Sequence, residues 1–365
     1  MKNTLIKNFK DKSVVITGHT GFKGSWLVAW LKLCGAKITG VALAPPSTPS
    51  HFEALNFDSS LEDRRIDVRD QKMLERVFTE SEPDFIFHLA AQPIVKESYR
   101  APVNTYETNI IGTINVLECL RKLNKPCTAL FITSDKAYRN YEWVWGYRET
   151  DELGGDDPYS ASKAGAEIII RSYVKSFFSE STDIKIGIGR AGNVIGGGDW
   201  GEARIIPDCI RSWSKNEPVI LRNPKATRPW QHVLEPLSGY LHLAIALANK
   251  KSFHGEPFNF GPQQNNNNSV LNVVQDLAKL LPNFKWKEKP DKENKHPEAG
   301  LLKLNCDKAL THLNWHAALT FTETIEFTAE WYREYYIKPE KIADITSKQI
   351  SCYMDIVDER LPKRF

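Results

Sequence analysis

The stretch "VVITGHTGFKGSWLVAWL" constrains this chain more than any other. An apolar strand runs directly into Gly18, Gly21 and Gly24, three residues apart, and a helical pattern comes next and ends near Gly35. A turn whose backbone must come close to a pyrophosphate needs glycine, and the new helix N-terminus offers unpaired N–H groups to the anion. Glycines that serve only strand and helix packing are the alternative reading. Position in the first strand–helix turn of the chain favours the dinucleotide. Thr20, Phe22 and Lys23 complete the turn as cofactor-binding candidates.

The next 150 residues keep the same rhythm. "ITGVAL", "DFIFHLAA", "TALFITS" and "DIKIGIGRAGNV" alternate with amphipathic stretches such as "QKMLERVFTESEP", "GTINVLECLRKLNKP" and "SASKAGAEIIIRSYVKSFF". The run of strand candidates before about residue 190 predicts an α/β fold, a doubly wound (Rossmann) parallel sheet. After that the texture turns loop-rich, with helices at "EPLSGYLHLAIALANK" and "VLNVVQDLAKLL" and a strand at "PFNFG". The expected organisation is a cofactor domain over 1–189 with a return near 231–262. A smaller mixed α/β substrate lobe covers 190–230 and 263–350, and a C-terminal tail 351–365. Further cofactor candidates lie at strand ends: Asp67 and Val68 in "DVRD", then Leu89, Ala90 and Ala91 in "HLAAQ", with Asn109 on the helix after it. The second strand ends "GVALAPPSTPS" without the acid that usually grips the adenosine ribose, so the rule for choosing NAD or NADP is silent here.

A near balance of 48 basic and 45 acidic residues, with no Lys/Arg cluster, speaks against a nucleic-acid partner and for a small anionic one. The six cysteines are scattered, without metal-ligand spacing, and read as reduced thiols; no metal is expected. No segment has the length and apolarity of a membrane span, and the N-terminus lacks a signal-peptide pattern, so the expected location is cytoplasmic.

The redox chemistry is read from "YSASK" and "TSDKAY". Tyr159 is the only Tyr followed by Lys at the fourth position, Lys163, which puts the two on one helix face. An ammonium there can lower the phenol's pKa from about 10 and make it a usable base. Ser134, at a strand end about 25 residues earlier, supplies a hydroxyl. Taken with "TGHTGFKG" and "RAGNVIGGGDW", these motifs resemble the extended short-chain dehydrogenase/reductase family over most of the chain. Within it, "GHTGFKGSWL", "ALAPPSTPSHFE" and "HPEAGLLKLNCDKA" are most similar to the sugar-nucleotide 4,6-dehydratases that act on CDP-glucose.

That resemblance implies tightly bound NAD, in preference to NADP, and a nucleotide-sugar substrate. Tyr159, with Ser134 and Lys163, would remove the 4-hydroxyl proton during oxidation at C4. Water would then leave across C5 and C6, and reduction at C6 would give a 4-keto-6-deoxy sugar. By position Asp135 is the acid at O6 and Lys136 the base at C5, which requires a raised pKa for the first and a neutral amine for the second. Lys136 as a cation stabilising the enolate is the alternative. For substrate binding the resemblance points to Gln92, Asn193, Arg204, Arg228 and Glu298. It also implies a homo-oligomer, dimer or tetramer, and a place in deoxysugar synthesis for lipopolysaccharide. The rivals are a dehydratase for dTDP-glucose or GDP-mannose, a sugar-nucleotide 4-epimerase, which needs no acid and base after the Ser, and an inactive cofactor-binding scaffold.

Overall fold

Five residues, Ser13–Thr17, form β1, and their side chains divide between the two faces of a sheet. Val14 and Ile16 join one core with Trp26, Trp30 and Leu237, while Val15 joins another with Leu74, Leu117 and Ile170. This period-two division between two dry faces is what a parallel strand covered by helices on both sides requires. In this computed structural model, which describes residues 1–178, 183–202, 204–249, 251–263, 268–289 and 302–360, the sheet has seven parallel strands. β2 (Lys37–Ala42), β3 (Leu61–Arg65), β4 (Phe85–His88), β5 (Cys127–Ile132) and β6 (Ile184–Ala191) are joined by the strand Pro257–Phe260. The spatial order is β3, β2, β1, β4, β5, β6 and Pro257–Phe260, so the chain reverses direction across the sheet between β1 and β4. Loops at the carboxyl ends of β1, β4, β5 and β6 therefore converge on one crevice.

β3 reads "LEDRR", with no apolar run to announce it. As an edge strand it spends its charges laterally: Glu62 pairs with Arg64 and accepts from Thr39 Oγ1 at 3.0 Å.

The long helix Pro158–Phe177 starts where Asp157 caps it, accepting from Ser160 N at 3.0 Å with Pro158 in the first turn. A set of short strand pairs, Val194–Ile195 with Gln231–His232, Thr227–Arg228 with Asn268–Ser269 and Val219–Leu221 with Trp286–Glu288, lies outside the seven-stranded sheet. The glycine loop 196–198 fits under aromatic rings, since a Cβ on Gly197 would fall 2.0 Å from the Trp331 ring. Trp26, on the helix Phe22–Leu33 after the first turn, donates to Gly197 O at 2.9 Å. The residues beyond "EWYREYYIKP", which sequence reading leaves unplaced, form the helix Ile342–Arg360. It packs back on the first helix of the sheet through Tyr353 against Trp30 (5.6 Å, edge-on), and burial of each such ring stabilises by about 2–3 kcal/mol. No described helix is long and apolar enough to cross a membrane.

Candidate active site

Gly18 takes φ +77°, and a Cβ there would lie 2.7 Å from Ala90 N. A Cβ on Gly24 would lie 2.1 Å from Gly18 O. The first turn therefore closes tightly on both β4's exit and its own helix, whose N-terminal N–H groups at residues 22–24 face the crevice end of the sheet. Thr20 is buried and donates to Leu43 O at 3.1 Å, tying the turn to the end of β2. Leu89 and Ala90 anchor on Thr17 through its carbonyl (3.1 Å) and hydroxyl (3.2 Å), and Ala91 continues the same half-buried loop. Val68 is buried, and Asp67 is held below the usual carboxylate range by Arg69. These residues lie at or just beyond the carboxyl ends of β1, β3 and β4.

β5 ends at Ile132, and Ser134 then caps a single 3-10 turn, Asp135–Ala137. Ser134 Oγ accepts from Lys136 N at 3.2 Å and donates to Asp135 Oδ1 at 2.8 Å. A polar run in place of a loop is thus a folded element with its own cap. Tyr159 sits in the first turn of Pro158–Phe177 and Lys163 one turn later; both are buried, as are Ser134 and Asp135. Lys136 is half-buried.

Burial governs the titration of this group. It raises Asp135, against the hydrogen bond from Ser134 and the charges of Lys136 and Lys23. It lowers Lys163 to about 8, against the Glu167 carboxylate. It also pushes the Tyr159 phenol up to about 12, only partly offset by a hydrogen bond with Ser134. Helical spacing leads one to expect that Lys163 acidifies this phenol. Instead the Lys163 ammonium turns toward Ile132 O (3.4 Å), and the cation whose charge bears on Tyr159 is Arg204. Spacing four along a helix brings two side chains to one face without bringing their ends together.

Of the substrate candidates, Arg204 is drawn into the crevice, held by Asp199 at 2.9 Å. Asn193 is exposed between β6 and the strand Val194–Ile195, at the mouth. Arg228 stands in the short strand Thr227–Arg228, its Nη1 donating to Thr227 O at 2.8 Å. Gln92 is engaged at both ends of its amide, donating to Thr105 Oγ1 (2.8 Å) and accepting from Ile94 N (2.5 Å). Asn109 is buried in a π-helical turn, accepts from Gln92 N (2.7 Å) and donates to Ser162 Oγ (2.8 Å). Together these two brace the β4 loop against the helix of Tyr159. Glu298 lies outside the described residues.

Sequence reasoning treats Lys23 as part of the phosphate turn only. Its ammonium, lowered to about 8 by burial, also shares the electrostatics of Asp135, Arg204 and Lys163 across the crevice. Tyr240 escapes sequence reasoning: its hydroxyl is buried within reach of the charges of Tyr159 and Asp135 and has no hydrogen-bond partner among the described residues. Nothing in "EPLSGYLHLAI" distinguishes that Tyr from an ordinary core ring.

Comparison with known proteins bears on the family and the fold. The family model described as GDP-mannose 4,6 dehydratase matches residues 15–328. CDP-glucose 4,6-dehydratase of Salmonella typhimurium is 44% identical over 354 residues, covering 95% of this chain and 98% of that protein. Among solved structures, the Thermus thermophilus UDP-glucose 4-epimerase in complex with NAD superposes with a TM-score of 0.72 at 26% identity, over 88% of this chain and 98% of that one. The Bacillus anthracis dTDP-glucose 4,6-dehydratase in complex with NAD gives 0.73 at 22%, over 88% and 96%, a likeness of fold.

Proposed function

The chain belongs to the GDP-mannose 4,6-dehydratase family, and from that premise we propose that it converts CDP-glucose to CDP-4-keto-6-deoxyglucose. The observation that carries the substrate is the near full-length similarity, at 44% identity, to a CDP-glucose 4,6-dehydratase, while relatives named for dTDP-glucose match at 23–29% identity. The acid and base next to Ser134 favour elimination over epimerisation, which stops at C4.

NAD fits the glycine cradle, where no side chain could replace Gly18, and when bound it supplies oxidation at C4 and the later reduction at C6. Its preference over NADP is supported by Arg65, the cation at the end of β3 beside the end of β2. That guanidinium is already committed to Asp63 (2.7 Å) and Leu43 O (2.9 Å). Tyr159 takes the 4-hydroxyl proton, with Ser134 holding the phenol and Arg204 favouring its anion. The resulting ketone acidifies the hydrogen on C5. Lys136 removes that proton, and Asp135, kept protonated more readily by its burial, delivers one to the departing 6-hydroxyl. Arg204, Arg228 and Asn193 bind the nucleotide diphosphate, guanidinium being suited to bidentate phosphate contact.

A homo-oligomer is supported by large apolar side chains left exposed on neighbouring helices: Val103, Tyr106, Ile111, Ile168 and Phe177. All six cysteines are free thiols, in keeping with the cytoplasm.

Incubation with CDP-glucose and, separately, dTDP-glucose in heavy water tests the reading. Water loss, ketone absorbance and deuterium at C5 are expected with the first. Epimerisation of either sugar without water loss would overturn it.

A further inference from the structure

Directly behind the catalytic turn lies an ion pair that none of the proposed chemical steps uses. Arg190 of β6 and Glu167 of the helix Pro158–Phe177 are 1% and 0% exposed. Arg190 Nε donates to both carboxylate oxygens (2.8 and 2.9 Å), and its Nη2 donates to Oε2. The remaining Nη1 donates to the Tyr138 hydroxyl (2.6 Å) and to Glu149 O (3.1 Å). On the other side, Thr133 Oγ1 donates to Glu167 Oε1 at 2.6 Å. Tyr138 in turn donates to Asn259 Oδ1 (2.8 Å), whose amide donates to Tyr147 O (2.9 Å) and Asn305 O (3.0 Å).

Two features of this network go beyond ordinary packing. Thr133 and Tyr138 bracket the segment Ser134–Ala137, so the pair grips the catalytic turn at both of its ends. Glu167 is also one helical turn beyond Lys163 and acts on its charge, so the same carboxylate joins both halves of the machinery. A buried ion pair is a poor way to gain stability, because apolar side chains of similar volume do as well or better. A fully satisfied polar network, however, fixes one orientation.

We infer that the Glu167–Arg190 pair is a positioning device for the elimination step. It holds the Asp135–Lys136 turn in register with Tyr159, so that acid and base meet C5 and O6 of a sugar oxidised at C4. The inference rests on the dehydratase reading.

The test uses three variants of the full-length enzyme: Arg190→Lys, the doubly uncharged Glu167→Leu with Arg190→Leu, and Tyr138→Phe. The double variant removes both charges of the pair together, and Tyr138→Phe removes only a hydroxyl. Each is given CDP-glucose in heavy water, with bound NADH absorbance, C5 deuterium and product followed together. In the first two, elimination is expected to fall about 100-fold, the scale of a misplacement near 1 Å. Oxidation, which in the double variant also loses the Glu167 charge acting on Lys163, should fall by no more than about tenfold and KM stay within about threefold, so that bound NADH accumulates above the wild-type level. Tyr138→Phe moves the same way by about threefold to tenfold. Oxidation and elimination falling by one common factor, or folded variants that keep the wild-type partition, would overturn the inference. A wild-type enzyme that does not eliminate water sinks the dehydratase reading instead.

Discussion

Asp135 and Lys136 are adjacent in sequence yet differ in environment. The carboxyl is buried and raised, whereas the amine is half-buried at the crevice. Their separation of roles predicts a separable loss. In Lys136→Ala, oxidation to bound NADH is expected to survive while C5 exchange falls by about 10²–10⁴, the usual contribution of a general base. Normal exchange in that variant would reassign the proton to another group and leave Lys136 as a stabilising cation. Tyr159 carries the complementary lesson. Its phenol is pushed to about 12 by burial, the Asp135 carboxylate adds to that rise, and the cation opposing it is Arg204, a residue far away in sequence and held by Asp199.

Glu235 shows how an element is fixed by one side chain. It lies in the first turn of the helix Leu234–Asn249, is 1% exposed, and accepts from Ala318 N, Leu319 N and the Tyr353 hydroxyl. Three segments distant in sequence thereby meet on one carboxyl. Burial raises it to about 7 from 4.5, so the folded chain keeps a proton that the unfolded chain releases at lower pH. Its contribution to stability is complete below about pH 4.5 and is lost as pH climbs through about 7, on the order of 3 kcal/mol. His51, His88 and His232, each lowered to about 3 by burial, act oppositely. The informative quantity is therefore the difference between wild type and Glu235→Gln. Calorimetric melting between pH 5 and 8 is expected to show that difference changing by several degrees across the window; parallel curves would refute the account.

On the scale of the whole molecule, Val103, Ile111 and Ile168 are large apolar side chains left exposed on neighbouring helices, the surface proposed above as an oligomer contact. Ile168→Arg, at a position 57% exposed, is expected to reduce the mass measured by light scattering while leaving the circular dichroism unchanged. An unchanged mass would remove this face as the proposed oligomer contact. The glycine loop 196–198 has a different logic. Trp331, Trp200 and Tyr332 pack against one another in the core, and Trp331 also covers Gly197, so the glycine loop is held by one aromatic block.

The parallel sheet, the first turn and the groups Ser134, Asp135, Lys136, Tyr159 and Lys163 are legible in the sequence because each depends on local periodicity, glycine conformation or short spacing. β3 is not, because an edge strand can satisfy itself with charge pairs and leaves no apolar signature. Nor is the direction of the Lys163 ammonium, the capture of Gln92 by Thr105 and Ile94, or the burial of Tyr240 beside Tyr159. Those outcomes depend on which distant groups arrive at the same place and on how much water they exclude. Sequence by itself determined the parallel sheet, its glycine turn and the short spacings that relate Ser134, Asp135, Lys136, Tyr159 and Lys163. Only the tertiary structure decided which charges face one another inside it, because desolvation and through-space distance, not spacing along the chain, set how each group titrates.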